Sequence, residues 1–401
     1  MLTPIRATAA GPALFSYGFR PFFLLAGLYA VLVVPLWMAV WSGHLALNSH
    51  FAPIDWHIHE LLFGYVSAVM AGFLFTAIPN WTGRMPTRGG PLIGLAVLWI
   101  LGRLAVAGVL GLAPVLVMVV DCGFLAAIAA MVVTEIVAGR NWGNLKVVVP
   151  VLLYLVANLT FHLEAMALGQ ADIGRRLGFG VVSVLILLIG GRIIPSFTRN
   201  WLVRRAAATG IPPLSLPARF GRVDRASLGV AVLALGMWVA LPMAAVTAAG
   251  LMLAGAVQLI RLRRWLGWRT LASPLLLMLH LAFGFLPLGL IALGLAGFGL
   301  VPAATGLHLL GIGGFGGMTL AVMMRAALGH TGRVTEVGPV LAAAFGCIVL
   351  AALVRAATPP GAGLWLAALL WSAGFASFAL SFAPILAGAS AGRKPANAKE
   401  R

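Results

Sequence analysis

Five of the eight histidines in this chain, His57, His59, His162, His280 and His308, fall within or at the rim of long apolar runs. An imidazole in such a setting is costly and usually functional. Neutral imidazole is the commonest metal ligand, and its second nitrogen needs an acceptor that fixes the tautomer. The set therefore points to a metal or a haem held inside a membrane bundle. Glu60 follows His57 by three positions and shares its helical face, as a hydrogen-bond partner or a proton donor. Asn158 stands one turn before His162 and is placed to orient it. His57 and His59 differ by about 200° on a regular helix, so both reach one site only if the helix begins irregularly. The competing reading of each histidine alone is a hydrogen-bonded packing residue. Five at compatible depth weigh against it.

The elements that must position these side chains are membrane spans. The chain has 401 residues, is 62% hydrophobic and carries 27 basic and 9 acidic residues, a composition far from that of a soluble domain. Apolar runs long enough to cross a bilayer are drawn at 20–42, 57–79, 90–110, 113–137, 147–169, 177–198, 226–242, 246–262, 271–294, 300–326, 337–356 and 364–387. The pair from 226 to 262 requires a tight turn at Leu241 and Pro242. The predicted fold is all-α: a polytopic membrane protein of about twelve transmembrane helices. It divides into an N-terminal half (1–198), a cytoplasmic linker (199–225), a C-terminal half (226–387) and a disordered tail (388–401).

Positive charge sets the orientation. Arg175, Arg176 and Arg355 fall in odd-numbered connections and Arg103 and Arg192 deep within spans, which leaves 22 of the 27 basic residues at the termini, in even-numbered connections or at the span ends that adjoin them. Both termini are therefore predicted to be cytoplasmic. The net charge of +18 is dispersed among short loops, which excludes a nucleic-acid-binding face. No signal peptide is expected. In this orientation His57, His59, His162 and His308 lie near the outer face and His280 near mid-depth, so all five are expected around one site in the outer half. His44 and His50 read as surface residues, and His330 lies on the other side. Cys122 and Cys347 form no Cys-x-x-Cys-His sequence, so any haem is held non-covalently.

Other groups bear on the site. Gly311, Gly313, Gly314, Gly316 and Gly317 strip side chains from two turns after His308, leaving room for a flat macrocycle with His308 as axial ligand, or for a close helix contact. Arg103 and Asp121 have matched depth and are expected to form a structural salt bridge. Arg192 has no obvious carboxylate and is a candidate partner for a haem propionate or for backbone carbonyls. Similar strings end three helices, Pro79 to Arg84, Pro195 to Asn200 and Gly329 to Arg333, spaced by four helices each, which hints at three four-helix units.

On Gly18, Phe19, Arg20, Pro21, Phe22, Phe23; Trp56, His57, Ile58, His59, Glu60; Pro79, Asn80, Trp81, Thr82, Gly83, Arg84; Gly191, Arg192; and Leu328, Gly329, His330, Thr331, Gly332, Arg333, the chain resembles the NnrS family. The resemblance implies a bacterial inner-membrane protein containing haem and copper that relieves nitrosative stress. The histidine count fits: His280 and His308, with Arg192, are the expected haem-binding set, and His57, His59 and His162 the expected copper ligands. Met70 and Met318 are further thioether candidates, against a default role in packing. Twelve helices in fours are also similar to the haem-copper oxidases, an analogy of fold alone. This chain departs from their ligand pattern by lacking a histidine on helices 6 and 7.

Two functions of different class follow. In one, the protein is a nitric oxide reductase-like oxidoreductase with haem b and copper, supplied by an unknown electron donor, and Glu60 passes protons from the outer face. In the other, it is a non-catalytic haem and copper protein that protects metal pools from nitrosylation. A metal-free polytopic transporter is a third reading.

Overall fold

The computed structural model describes residues 12–358 and 362–391. Twelve helices fill them, and no strand occurs among the described residues: α1 (Phe19–Trp41), α2 (Pro53–Thr82), α3 (Gly90–Val106), α4 (Pro114–Ala138), α5 (Val148–Leu168), α6 (Ile173–Thr209), α7 (Arg222–Ala240), α8 (Ala245–Arg263), α9 (Pro274–Gly297), α10 (Ala303–His330), α11 (Pro339–Ala357) and α12 (Ala362–Ala387). Eleven are long and apolar enough to cross a membrane, and α3, with 17 residues, sits at the lower limit. The expected turn at Leu241 and Pro242 is present, with Ala244 N–H donating to Leu241 O at 3.2 Å.

Local chemistry sets the helix ends. Proline opens α2, α4, α9 and α11, where its missing N–H costs nothing. Left-handed Gly83, Gly169 and Gly210 close α2, α5 and α6. Glu164, on α5, caps α6 by accepting from the amides of Asp172, Ile173 and Gly174 at 3.0, 3.0 and 2.8 Å. The linker expected from residue 199 begins later, because Arg and Ala are good helix formers and carry α6 on to Thr209.

Consecutive helices pack against one another, and α12 returns against α1. In the apolar stretch of α2, 83% of residues are buried, and in those of α9 and α10 72% and 67%, against 28% for α7 and α11. The first three form the interior of the bundle and the last two face outward. Trp371 Nε1 donates to Ala30 O at 2.9 Å, tying α12 to α1, and Tyr65 Oη meets Thr319 Oγ1 at 2.6 Å, tying α2 to α10. The start of α1 meets the end of α12: Arg20 donates to Leu386 O at 2.9 Å, Gly388 O at 2.6 Å and Ser390 Oγ at 2.8 Å. These bonds hold the first residues of the expected tail, whose remainder, 392–401, lies outside the described residues.

Helices α2 and α10 share a distortion. Each contains a π-helical stretch, Glu60–Tyr65 in α2 and Leu309–Gly316 in α10, and each stretch begins one residue after a histidine, His59 or His308. Such insertions widen a helix locally and occur often at functional sites. The third member of the expected repeat, α6, is α-helical throughout.

Candidate functional site

The segment Pro53–His59 is regular α-helix, with the π stretch starting only at Glu60. His57 and His59 therefore point to opposite sides of α2. Two sites result, one on each side.

His59 enters a buried polar cluster built by five helices. On α2, His59 Nδ1 lies 2.9 Å from Glu60 Oε1. Its Nε2 lies 2.9 Å from Asn158 Oδ1 on α5 and 3.2 Å from Asp121 Oδ2 on α4. His162 Nε2, also on α5, is 3.1 Å from the same Asp121 oxygen, and Asn158 Nδ2 donates to it at 2.7 Å. Arg103, on α3, joins the carboxylates: Nη1 donates to Glu60 Oε1 at 2.5 Å and Nη2 to Asp121 Oδ1. Tyr29, on α1, donates to Glu60 Oε2. His59, Glu60 and His162 are wholly enclosed.

Two features of this cluster call for a cation. Glu60 and Asp121 set two negative charges against the single positive charge of Arg103, and unbalanced charge at this depth is expensive. His59 presents both ring nitrogens to oxygen acceptors, yet a neutral imidazole carries one N–H, so the other nitrogen would face an oxygen lone pair to lone pair. A proton or a metal ion answers both. His59, Asp121 and His162 each offer a ligand atom within 4.8 Å of the others, and imidazole with carboxylate is a donor set for copper, zinc or iron. The cluster thus fits a bound metal, with Glu60 in the position of the carboxylate that orients a ligating histidine.

The loop between α1 and α2 covers this site. Phe51 lies against His59 and His162, with ring centroids 4.8 and 4.9 Å away, and the ring of His50 stacks on His162 at 5.4 Å. Burial, followed by the neighbouring His162, pushes His50 down to about 4. His50 is accordingly no simple surface residue.

On the other side of α2, His57 stacks on Trp37 at 4.1 Å and lines a cavity of about 380 Å³ between α1, α2, α6, α10, α11 and α12. His308 lines the same cavity from α10. Its Nδ1 lies 2.6 Å from Ala304 O, which fixes the tautomer and leaves Nε2 as the ligating nitrogen. His57 Nδ1 is buried without a partner. The walls are apolar, and Arg175 and Arg355 supply positive charge. Arg175 is paired with Asp172 at 2.6 Å, whereas Arg355 Nε is buried without a partner. Two imidazoles, apolar walls and a guanidinium for carboxylates are groups that fit a non-covalent haem.

The glycines after His308 divide between the two readings. Gly313 packs on Phe285, Gly316 on Trp371 and Gly317 on Ala282 and Met278, all closer than a methyl group tolerates, and Gly314 packs tightly on Leu286, while Gly311 alone of the five lines the cavity.

Several expected members are elsewhere. His280 lies six residues into α9, about 25 Å along the helix from Gly297. Its Nδ1 meets Leu276 O at 2.9 Å and its ring packs on Gly267, so it joins neither site. Arg192 lies over the Phe220 ring at 5.1 Å, outside the cavity, and Met318 packs against Gly190. Asp121 was expected only as the structural partner of Arg103. The expected pair does form, but within the cluster. Arg175 and Arg355 had a signal in the sequence: they break the charge asymmetry of the loops.

The fold and these two sites define a polytopic helical membrane protein with a buried histidine–carboxylate cluster beside a histidine-lined apolar cavity. The chain belongs to the NnrS family: the profile described as NnrS protein matches residues 13–390, nearly the whole length. Membership fits a membrane protein of the nitric oxide response. No curated relative matches this sequence.

Proposed function

We propose that the protein binds haem b non-covalently in the cavity through His308 and His57, binds copper at His59, Asp121 and His162, and acts on nitric oxide to relieve nitrosative stress. The observation that carries this reading is the placement of two sites on the two faces of one short segment, His57 to His59. When bound, haem and copper supply one-electron redox chemistry and coordination of a diatomic ligand. The protein's own part is to hold and insulate them. Arg355, with its unpartnered nitrogen, pairs a propionate carboxylate, and Glu60 fixes the tautomer of His59. Arg103 compensates Glu60 and Asp121, and Phe51 keeps water from the metal ligands. Glu60, fully enclosed and held by Arg103, His59 and Tyr29, is better suited to orienting His59 than to passing protons inward. The charge asymmetry of the loops supports cytoplasmic termini, and family membership supports a bacterial inner-membrane location.

Sites separated by a single helix favour an oxidoreductase, with an electron donor still to be identified, over a protein that only sequesters nitric oxide. Absorption spectroscopy and metal analysis of the purified protein test the binding reading. A Soret band with about one copper per chain is expected, and protein from haem- and copper-replete cells containing neither would favour transport. Nitric oxide consumption with an artificial reductant tests turnover: a haem-loaded protein with no rate above buffer leaves only sequestration.

A further inference from the structure

At the end of the bundle opposite the two histidine sites, α6, α9 and α10 enclose a second cavity of about 440 Å³. Its charged residues are Arg204, Arg205, Arg325 and Glu336, three positive against one negative. Aromatic faces, not carboxylates, steady two of the arginines. The Arg325 guanidinium lies 3.7 Å over the Phe197 ring and that of Arg205 lies 5.2 Å over Trp201. Stacking of this kind fixes the plane of a guanidinium and leaves its N–H edge free for a planar or tetrahedral oxyanion. Among the described residues none of the three forms an ion pair, although Arg84, Arg103, Arg175, Arg176, Arg261 and Arg264 all do. Three positive charges against the single carboxylate of Glu336 leave this space with an excess of positive charge that favours an anion. Ser273, Pro274, Leu275 and Leu276 at the start of α9 line the same space, and Ser273 makes no capping hydrogen bond.

We propose that this pocket binds the phosphate of an anionic phospholipid headgroup. A lipid is favoured over free phosphate by the apolar part of the lining: Val334, 73% exposed, lies with Val337, Ala272, Phe197 and Trp201 beside the arginines, a surface for acyl chains. Basic pockets between transmembrane helices are recognised lipid sites.

Native mass spectrometry of the full chain in detergent, with phosphatidylglycerol, phosphatidylcholine or inorganic phosphate added separately, tests the assignment. Phosphatidylglycerol should be retained one per chain and phosphatidylcholine should not. Arg325→Gln should weaken retention about fivefold, and the triple glutamine variant of Arg204, Arg205 and Arg325 on the order of a hundredfold. Arg325→Lys should retain most of the binding, and gel filtration of every variant as a single species separates lost binding from lost fold. Equal retention of phosphatidylcholine, or a triple variant that binds like the parent, overturns the proposal. Competition by inorganic phosphate at similar concentration overturns the lipid source.

Discussion

His57 and His59 are two residues apart and face away from each other: His57 stacks on Trp37 beside an apolar cavity, and His59 lies between Glu60 and Asn158 in a buried charged cluster. The regular helix from Pro53 to His59 produces this divergence. One short motif thereby serves two chemically different environments, apolar with an imidazole from α10 on one side, ionic with polar and charged groups from α3, α4 and α5 on the other.

The two sites should be separable by mutation. His308→Ala and His57→Ala should each lower the haem content of the purified protein, read from the Soret band, while His280→Ala should leave it unchanged. Haem loss on replacing His280, with retention on replacing His308, would reverse the assignment.

Replacement of metal ligands should act on the other site alone. Asp121→Asn and His162→Ala should reduce copper per chain without altering the Soret band. Glu60→Gln, which removes only the orienting carboxylate, should weaken metal affinity about 10 to 100-fold. Copper content measured by elemental analysis after dialysis against a graded chelator reads all three. If Asp121→Asn retains copper like the parent, the cluster is a proton-balanced structural network.

Arg103 holds both carboxylates, so Arg103→Met leaves them facing each other in the interior. Breaking a buried pair by removing one partner costs about 3–5 kcal/mol, which should appear as a large drop in thermal unfolding midpoint in detergent. Adding Glu60→Gln should recover part of the loss, because one buried charge is then removed. Purely additive losses in the double variant would argue against coupling of Arg103 to Glu60.

The glycines of α10 give a packing test. A methyl group at Gly316 would lie 2.4 Å from the Trp371 ring, whereas one at Gly311 meets nothing nearer than 3.9 Å. Gly316→Ala should destabilise the protein by about 1–3 kcal/mol and Gly311→Ala by less than about 0.5 kcal/mol. Comparable thermal midpoints for the two variants would contradict the packing described for α10.

What the sequence by itself determined is one-dimensional in origin. Runs of apolar residues long enough to cross a bilayer specify twelve helices, because a backbone in hydrocarbon must satisfy its hydrogen bonds within the segment. Proline and glycine mark their ends, and spacing on a helix already stated that His57 and His59 diverge. The pairing of Arg103 with Asp121 was legible too, since depth counted from a shared short connection matches two charges that each need a partner. The tertiary structure alone decided which histidines meet. His280 lies six residues into α9, and the alternation of the spans already sets that depth apart from His308; packing decides the partners of the remaining histidines. Asp121 joins His59 and His162, and Arg355 reaches the cavity of His57, through lateral packing of α2, α4 and α5 on one side and of α2, α10, α11 and α12 on the other. Hydropathy specifies that a helix spans and to what depth each residue lies. Its rotation and its neighbours depend on side-chain packing between helices, which no single segment encodes.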